Sequence, residues 1–372
     1  MSGARDSGAW ESAVTLAARE DADWQGLFAY HEEDRWNALL LGPLWECART
    51  AEAAGCRFRL TREWQRGPHL RLGVRGPVEA AATVRAEIDQ RLHEVLRSSP
   101  STRSLTFADV RDRARWIADR AGIEPRQDWL ADNSLTWTAG GETGTRDAEA
   151  TMRALLEDFH YAATVPALRL LRAAPGARLG PACADLMAVT AQEFGRGRLA
   201  SAALSFRSHA EAHLNLDAAT DVRAAWDADA RRSAPALRRR LRAVALGPDR
   251  PAYARDWLAA ITPVARAAER AQRRGELVMP TMAKGFSAEL TDRSAFHRAL
   301  AGSAPWEDVR ASDWFAIYRL AINLLYLQFS RLGVGPSGRY RLCHLVATAL
   351  DEREDPTATT EDPTATTEEG DS

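Results

Sequence analysis

Near the C-terminal end of this 372-residue chain, hydroxyl, guanidinium and amide side chains interrupt an apolar run in a regular pattern. Arg319, Asn323, Tyr326 and Ser330 fall at i, i+4, i+7 and i+11, a polar stripe along one side of an otherwise apolar helix. Buried without partners, such groups cost about 1–3 kcal/mol each. The stripe therefore calls for internal partners, water or a ligand, and a structural network and a pocket wall are equally open. Tyr318 lies beside it, two turns from Ser312. The plain alternative for Ser312, followed by Asp313, is a helix N-cap. A second constellation is Trp64-Gln65-Arg66-Gly67-Pro68-His69-Leu70-Arg71-Leu72, in which His69 and Arg71 share one face of a strand and could hold a peptide carbonyl.

Other clusters carry less. His209 and His213 stand four apart with Glu211 between, a spacing that puts both on one helix face. The helical zinc motif needs Glu directly after the first His, and Ala210 is there; with no third ligand in view, these read as ordinary surface histidines and no metal is expected. Arg238-Arg239-Arg240, with Arg231 and Arg232 before them and Asp227 and Asp229 nearby, read as a solvated helix face. There is no glycine-rich phosphate loop, nucleophile elbow or dinucleotide fingerprint, so no cofactor is expected.

The elements that must position these residues follow from patterning. Apolar residues make up 45% of the chain, enough for a proper core. A net charge of −2 gives no field for nucleic acid or an anionic membrane, so neither partner is expected. Cys47, Cys56, Cys183 and Cys343 are scattered singly, which fits reduced thiols and a cytoplasmic setting. The most apolar stretch, 314–332, is broken by Arg319 and Arg331 and reads as a buried helix. Residues 1 to about 24 read as a short helix or poorly ordered arm. A strand is expected over 26–30, a helix over 36–54 ended by Gly55, a hairpin of 56–63 and 70–74 around Gly67-Pro68, and a helix over 78–96. Strand, helix, hairpin, helix predicts an antiparallel sheet with helices on one face. Further helices are expected over about 107–121, 146–173, 179–193, 218–246, 252–275, 293–301, 312–332 and 338–350, with a short strand at 135–138. Residues 275–289, containing Pro280, Lys284 and Gly285, read as a loop that could line a site. The fold class is α+β, one catalytic domain over 1–350 whose sheet lies in about 25–100. The tail 351–372 repeats Pro-Thr-Ala-Thr-Thr-Glu, is acidic, and is expected to be disordered.

Two segments carry a resemblance. Phe58-Arg59-Leu60 through Gly67-Pro68-His69-Leu70-Arg71-Leu72, and Leu325-Tyr326-Leu327-Gln328-Phe329-Ser330-Arg331-Leu332-Gly333, resemble the glutamate-elimination domain of lantibiotic-type dehydratases and its standalone thiopeptide relatives, over about 27–350. Eliminating members carry Arg-x-Arg on the hairpin strand; here Arg71-Leu72-Gly73 lacks the second arginine. Their segment ending Arg-Tyr-Gly, with its Glu and Arg, is not found, and Tyr326 occupies the position of a histidine on their last helix motif. These departures fit the thiopeptide pyridine synthases, in which a serine and a tyrosine six residues further on serve the reaction; Ser312 and Tyr318 match. The resemblance implies a formal four-plus-two aza-cycloaddition of two dehydroalanines in a precursor peptide, with loss of water and of the leader peptide, giving a macrocycle without a cofactor. Ser312 and Tyr318 would be catalytic, and His69, Arg71, Arg319, Asn323 and Tyr326 would hold substrate. The partner is a precursor peptide, bound through its leader and its dehydroalanine-containing core, with association to other biosynthetic enzymes a further implication. The alternatives are a glutamyl-elimination lyase of a split dehydratase and a non-catalytic leader-binding subunit.

Overall fold

Alternating apolar residues on three consecutive segments build a small sheet, and long amphipathic segments pack the rest of the chain around it. The computed structural model describes residues 21–64, 66–103, 105–111, 128–139, 148–196, 199–215, 220–277, 279 and 286–351. The expected tail over 352–372, the arm over 1–20, Lys284 and most of the expected helix 107–121 lie outside these residues; 107–111 is helical.

Strand β1 (Asp21–Ala29) begins five residues before the expected strand and takes in the end of the expected arm. Next come a 3-10 turn at Glu33–Arg35, α1 (Trp36–Leu41) and α2 (Pro43–Ala53). The single helix expected over 36–54 is thus two, because Gly42 leaves helical geometry (φ −105°, ψ −106°) and Pro43 restarts the chain as the first residue of α2. The hairpin β2 (Arg57–Glu63) and β3 (His69–Pro77) turns through Gly67 at φ 92°, a conformation that favours glycine. After α3 (Val78–Ser98), β4 (Ser134–Ala139) completes an antiparallel sheet of order β2-β3-β1-β4.

Register sorts the side chains. Phe58 and Leu60 on β2 face Val74 and Leu72 on β3, and Trp24 and Phe28 on β1 face Val74 and Leu70. This apolar face lies against α2 and α3. The opposite face collects Arg57, Arg59, Thr61 and Glu63 from β2, His69, Arg71 and Arg75 from β3, and Asp23 and Gln25 from β1. It is not left bare, as helices on one face alone would require: α4 (Ala148–Ala173) lays Glu157, Asp158 and Tyr161 over it. Helices therefore cover both faces, because a face this rich in arginine recruits carboxylates rather than apolar surface.

Helices α5 (Leu179–Phe194), α6 (Leu199–Leu214), α7 (Thr220–Leu246), α8 (Ala252–Arg273), α9 (Ala288–Arg293), α10 (Ala295–Ala301), α11 (Ala304–Ala311), α12 (Asp313–Arg331) and α13 (Pro336–Leu350) form the remainder. Three of them, α6, α9 and α11, have no counterpart among the expected helices, and α9 takes part of the expected loop 275–289. Ala182 to Ala191 on α5 are all buried, so α5 is a core helix. Its buried Asp185 is met by Nε and Nη2 of Arg240 at 2.8 and 2.7 Å and by the Tyr253 hydroxyl. Arg238 donates to the carbonyl of Ala349 at 2.7 Å, near the end of α13. The expected solvated arginine face on α7 is thus in part a set of anchors. Helix α12 packs against α5, α8, α4 and β2 and joins the helical body to the sheet. No described helix is long and apolar enough to cross a membrane.

Candidate active site

Helix α12 presents two unlike sides. At about 100° per residue, Tyr318, Ile322, Tyr326 and Phe329 line one side, and Arg331 lies about 140° away from Tyr326. Tyr318 and Tyr326 are both buried. The Tyr318 hydroxyl lies 3.1 Å from Ser205 Oγ on α6, and its ring packs beside Trp314 and Phe315. The Tyr326 hydroxyl lies 3.3 Å from Cys343 Sγ on α13, with the Arg339 guanidinium 4.8 Å over its ring. Burial pushes both hydroxyls well above the ordinary tyrosine range. It also pushes the Cys343 thiol up to about 12. These groups are neutral donors at physiological pH, not anions.

Helix α6 adds Ser205, Ser208 and His209 within little more than one turn. Ser208 Oγ lies 2.9 Å from His297 Nε2, and His297 Nδ1 lies 2.7 Å from Ser294 Oγ at the start of α10. The His209 ring meets that of Tyr326 edge-on, with centroids 5.0 Å apart. Burial, then the charges of Arg339 and Arg319, lowers His209 to about 4. His213 is stacked on Tyr340 at 4.5 Å and on Trp226 at 5.8 Å. The expectation of surface histidines fails for both, since aromatic rings of α7, α12 and α13 close over α6. Among the described residues no three His, Cys, Asp or Glu side chains are grouped to hold a metal.

The remaining sequence-derived residues divide. Arg319 is half-buried beside the same cluster, where burial lowers its pKa. Asn323 is exposed, and Ser330 donates to the Tyr326 carbonyl at 3.2 Å, so the polar stripe is not buried throughout as its setting in an apolar helix implied. Ser312 does take the N-cap position of α12, but its hydroxyl makes no cap bond; it donates to the Val309 carbonyl at 2.7 Å. Ser312 and Tyr318 are not in hydrogen-bond contact. His69 and Arg71 sit apart from this cluster, on the polar sheet face. His69 is buried, with Nδ1 2.8 Å from the Gly67 carbonyl and Nε2 3.4 Å from Glu63. Arg71 remains 41% exposed, 3.9 Å from Glu63.

That sheet face has its own logic. Arg59 is buried between Glu157 and Gln25. Gly73 is its partner in register, and a Cβ there would stand 2.6 Å from Arg59 Cγ and 2.7 Å from the Tyr161 hydroxyl. Arg59 thus fills the space above Gly73. Arg331, on the far side of α12, donates to the Leu60 carbonyl at 2.7 Å and to His160 Nδ1 at 2.8 Å. Burial first, then Arg331, lowers His160 to about 2, so it is a neutral acceptor.

Sequence reasoning missed Ser205, Ser208, His297 and Arg339, and read His209 only as a surface histidine and Cys343 only as one of four scattered thiols. The available signal was the i, i+4 pair of Ser205 and His209 with Ser208 alongside. Without α6 placed against α12, that pattern had no partner.

The family model for the C-terminal region of the lantibiotic biosynthesis dehydratase matches residues 24–350. No curated protein matches the chain. Among solved structures, the pyridine synthase TbtD from thiomuracin biosynthesis superposes with a TM-score of 0.67 at 28% identity, covering 89% of this chain and 97% of that one. TsrL superposes at 0.58 with 19% identity, covering 90% of this chain and 95% of that one, a likeness of fold. With more than three-quarters of its length matched by one family model, and its hairpin and last-helix motifs inside the match, the chain belongs to the lantibiotic biosynthesis dehydratase C-terminal family.

Proposed function

We propose that this protein is a pyridine synthase of thiopeptide biosynthesis. The observation that carries the reading is likeness to TbtD over nearly the whole of both chains. The filled arginine position at Gly73 points the same way, away from glutamate elimination.

In this reading, one dehydroalanine of a precursor peptide reacts through its amide in the iminol form, as an azadiene, with the alkene of a second. Loss of water and of the leader peptide, as a carboxamide, then leaves an aromatic ring closing a macrocycle. No net oxidation occurs, so the reaction needs no redox partner. The protein's share is to bring two distant peptide positions together, which can be worth about 7–11 kcal/mol of barrier. It also supplies proton donors where charge develops on the amide oxygen. Tyr318 is suited to that donor role, because burial keeps its hydroxyl protonated and Ser205, one of its partners, can yield to a substrate carbonyl. Arg319, Asn323 and Tyr326 line the approach on the same helix. Ser312, at the head of α12, would act where the substrate enters. Arg71 is the exposed candidate for holding the peptide on the sheet side.

The test is direct. The purified protein is incubated with a leader-bearing peptide containing two dehydroalanines and, separately, with a glutamylated-serine peptide. Mass spectrometry should show a product of the first lacking water and the leader, with the free leader carboxamide, and no change in the second. Glutamate loss from the second would replace this reading with a lyase. Binding without conversion of either would make the chain a leader-binding subunit.

A further inference from the structure

Three polar side chains point from α6 toward α12 and α10, and two of them are already engaged. Ser205 is held by Tyr318, and Ser208 by His297. His209 differs. Its ring rests edge-on against Tyr326, yet neither ring nitrogen has a hydrogen-bond partner among the described residues, and neither is sealed from solvent. The surroundings also fix its protonation. Arg319 faces it from α12, Arg339 from α13 and His297 from α10, while the nearby Tyr326 and Cys343 are neutral. Burial first, then cations on two elements with no adjacent carboxylate, leave the ring as a neutral imidazole.

The pyridine-forming reading, on which this inference rests, needs such a group. The cycloadduct carries a hydroxyl on the former amide carbon, the leader nitrogen on the next carbon, and two ring CH2 groups. Aromatisation takes one proton from each CH2. We propose that His209 is the catalytic base that removes these ring protons, with Tyr318 as the acid that protonates the leaving groups. In the first elimination, the C–H bond beside the imine carbon breaks toward His209. Its electron pair shifts the C=N bond round the ring, the C–O bond breaks, and oxygen leaves as water with the Tyr318 proton. The imidazolium then returns its proton to the tyrosinate. In the second elimination, the other CH2 gives its proton to His209, a C=C bond forms, and the C–N bond to the leader breaks. That nitrogen takes the proton from Tyr318 and departs as a carboxamide. Both residues end as they began.

Single-turnover reactions of wild type, His209→Asn and His209→Gln with the two-dehydroalanine peptide test the proposal, with melting temperature and leader affinity measured beside them. Both variants should fold and bind leader, and pyridine formation should fall roughly hundredfold or more, as expected for loss of a positioned base. The decisive readout is what accumulates: a leader-bearing adduct that has lost no water, or the dehydrated adduct still carrying the leader. A wild-type rate in either folded variant overturns the assignment. So does a slow variant in which only unreacted linear peptide is recovered, because His209 would then act before the eliminations. A wild-type protein that leaves the peptide unchanged overturns the pyridine reading itself, a different pattern from either.

Discussion

At the scale of single residues, Tyr318 and Ser312 separate chemistry from scaffold. Tyr318→Phe removes one hydroxyl from a buried ring and leaves half-buried Ser205 without that partner. The stability cost should be about 1 kcal/mol. Turnover of the two-dehydroalanine peptide should fall roughly ten- to a thousandfold, since one positioned donor is lost. Chemical denaturation and single-turnover rates on the same preparation check both numbers; a wild-type rate removes Tyr318 from the mechanism. Ser312→Ala now has a sharper expectation than its cap position gave. No cap bond is lost, only a bond back to Val309, so stability should change by less than about 1 kcal/mol. A large loss of turnover in a fully stable Ser312→Ala would then mean contact with substrate.

At the scale of elements, the legible parts were those whose order is local. The hairpin, α3, α4, α5, α7 and α12 follow from apolar spacing and turn glycines, and their observed limits lie within a few residues of expectation. Helix α6 was not legible as an element, because its alanines, serines and histidines do not segregate into an apolar and a polar face. The site it helps to build was hidden for the same reason. Ser205 and Tyr318 are 113 residues apart, and spacing along one helix cannot report a contact across that separation. Helices α4 and α6 also set a pH response. His160 and His209 are held at about 2 and about 4 in the fold, against 6.5 when exposed. Below pH 6.5 the unfolded chain takes up protons that the folded chain refuses. The stability these residues contribute is complete above that pH and is lost as pH falls toward the folded values. Each contributes a slope of up to about 1.4 kcal/mol per pH unit. Between about pH 6.5 and 5, before carboxylates titrate, urea midpoints should drop with pH, and His160→Gln should flatten the drop. An equally steep curve in the variant would assign the effect elsewhere.

At the scale of the whole molecule, Asp351 closes the described part of the chain. Asp351 is tied in by Arg207 at 3.0 Å and by Arg238, which donates to its carbonyl at 3.3 Å. A chain ending at Asp351 should keep the wild-type melting temperature and turnover, while one ending at Leu350 should melt lower; thermal scans of the two decide it. The reciprocal fit of Gly73 and Arg59 reaches further, into which changes the two positions can accept. Arg59 lies between Glu157 and Gln25 and leaves no room beside Tyr161 for a side chain at Gly73. Gly73→Arg alone forces two arginines into one space, and Arg59→Ala alone strands Glu157 beside a void, so each single step should cost several kcal/mol. The double change should cost less than the sum, a coupling that equilibrium unfolding of the four proteins would measure. A side chain at position 73 then becomes tolerable only together with a smaller residue at 59, so the two positions can change at low cost only as a pair.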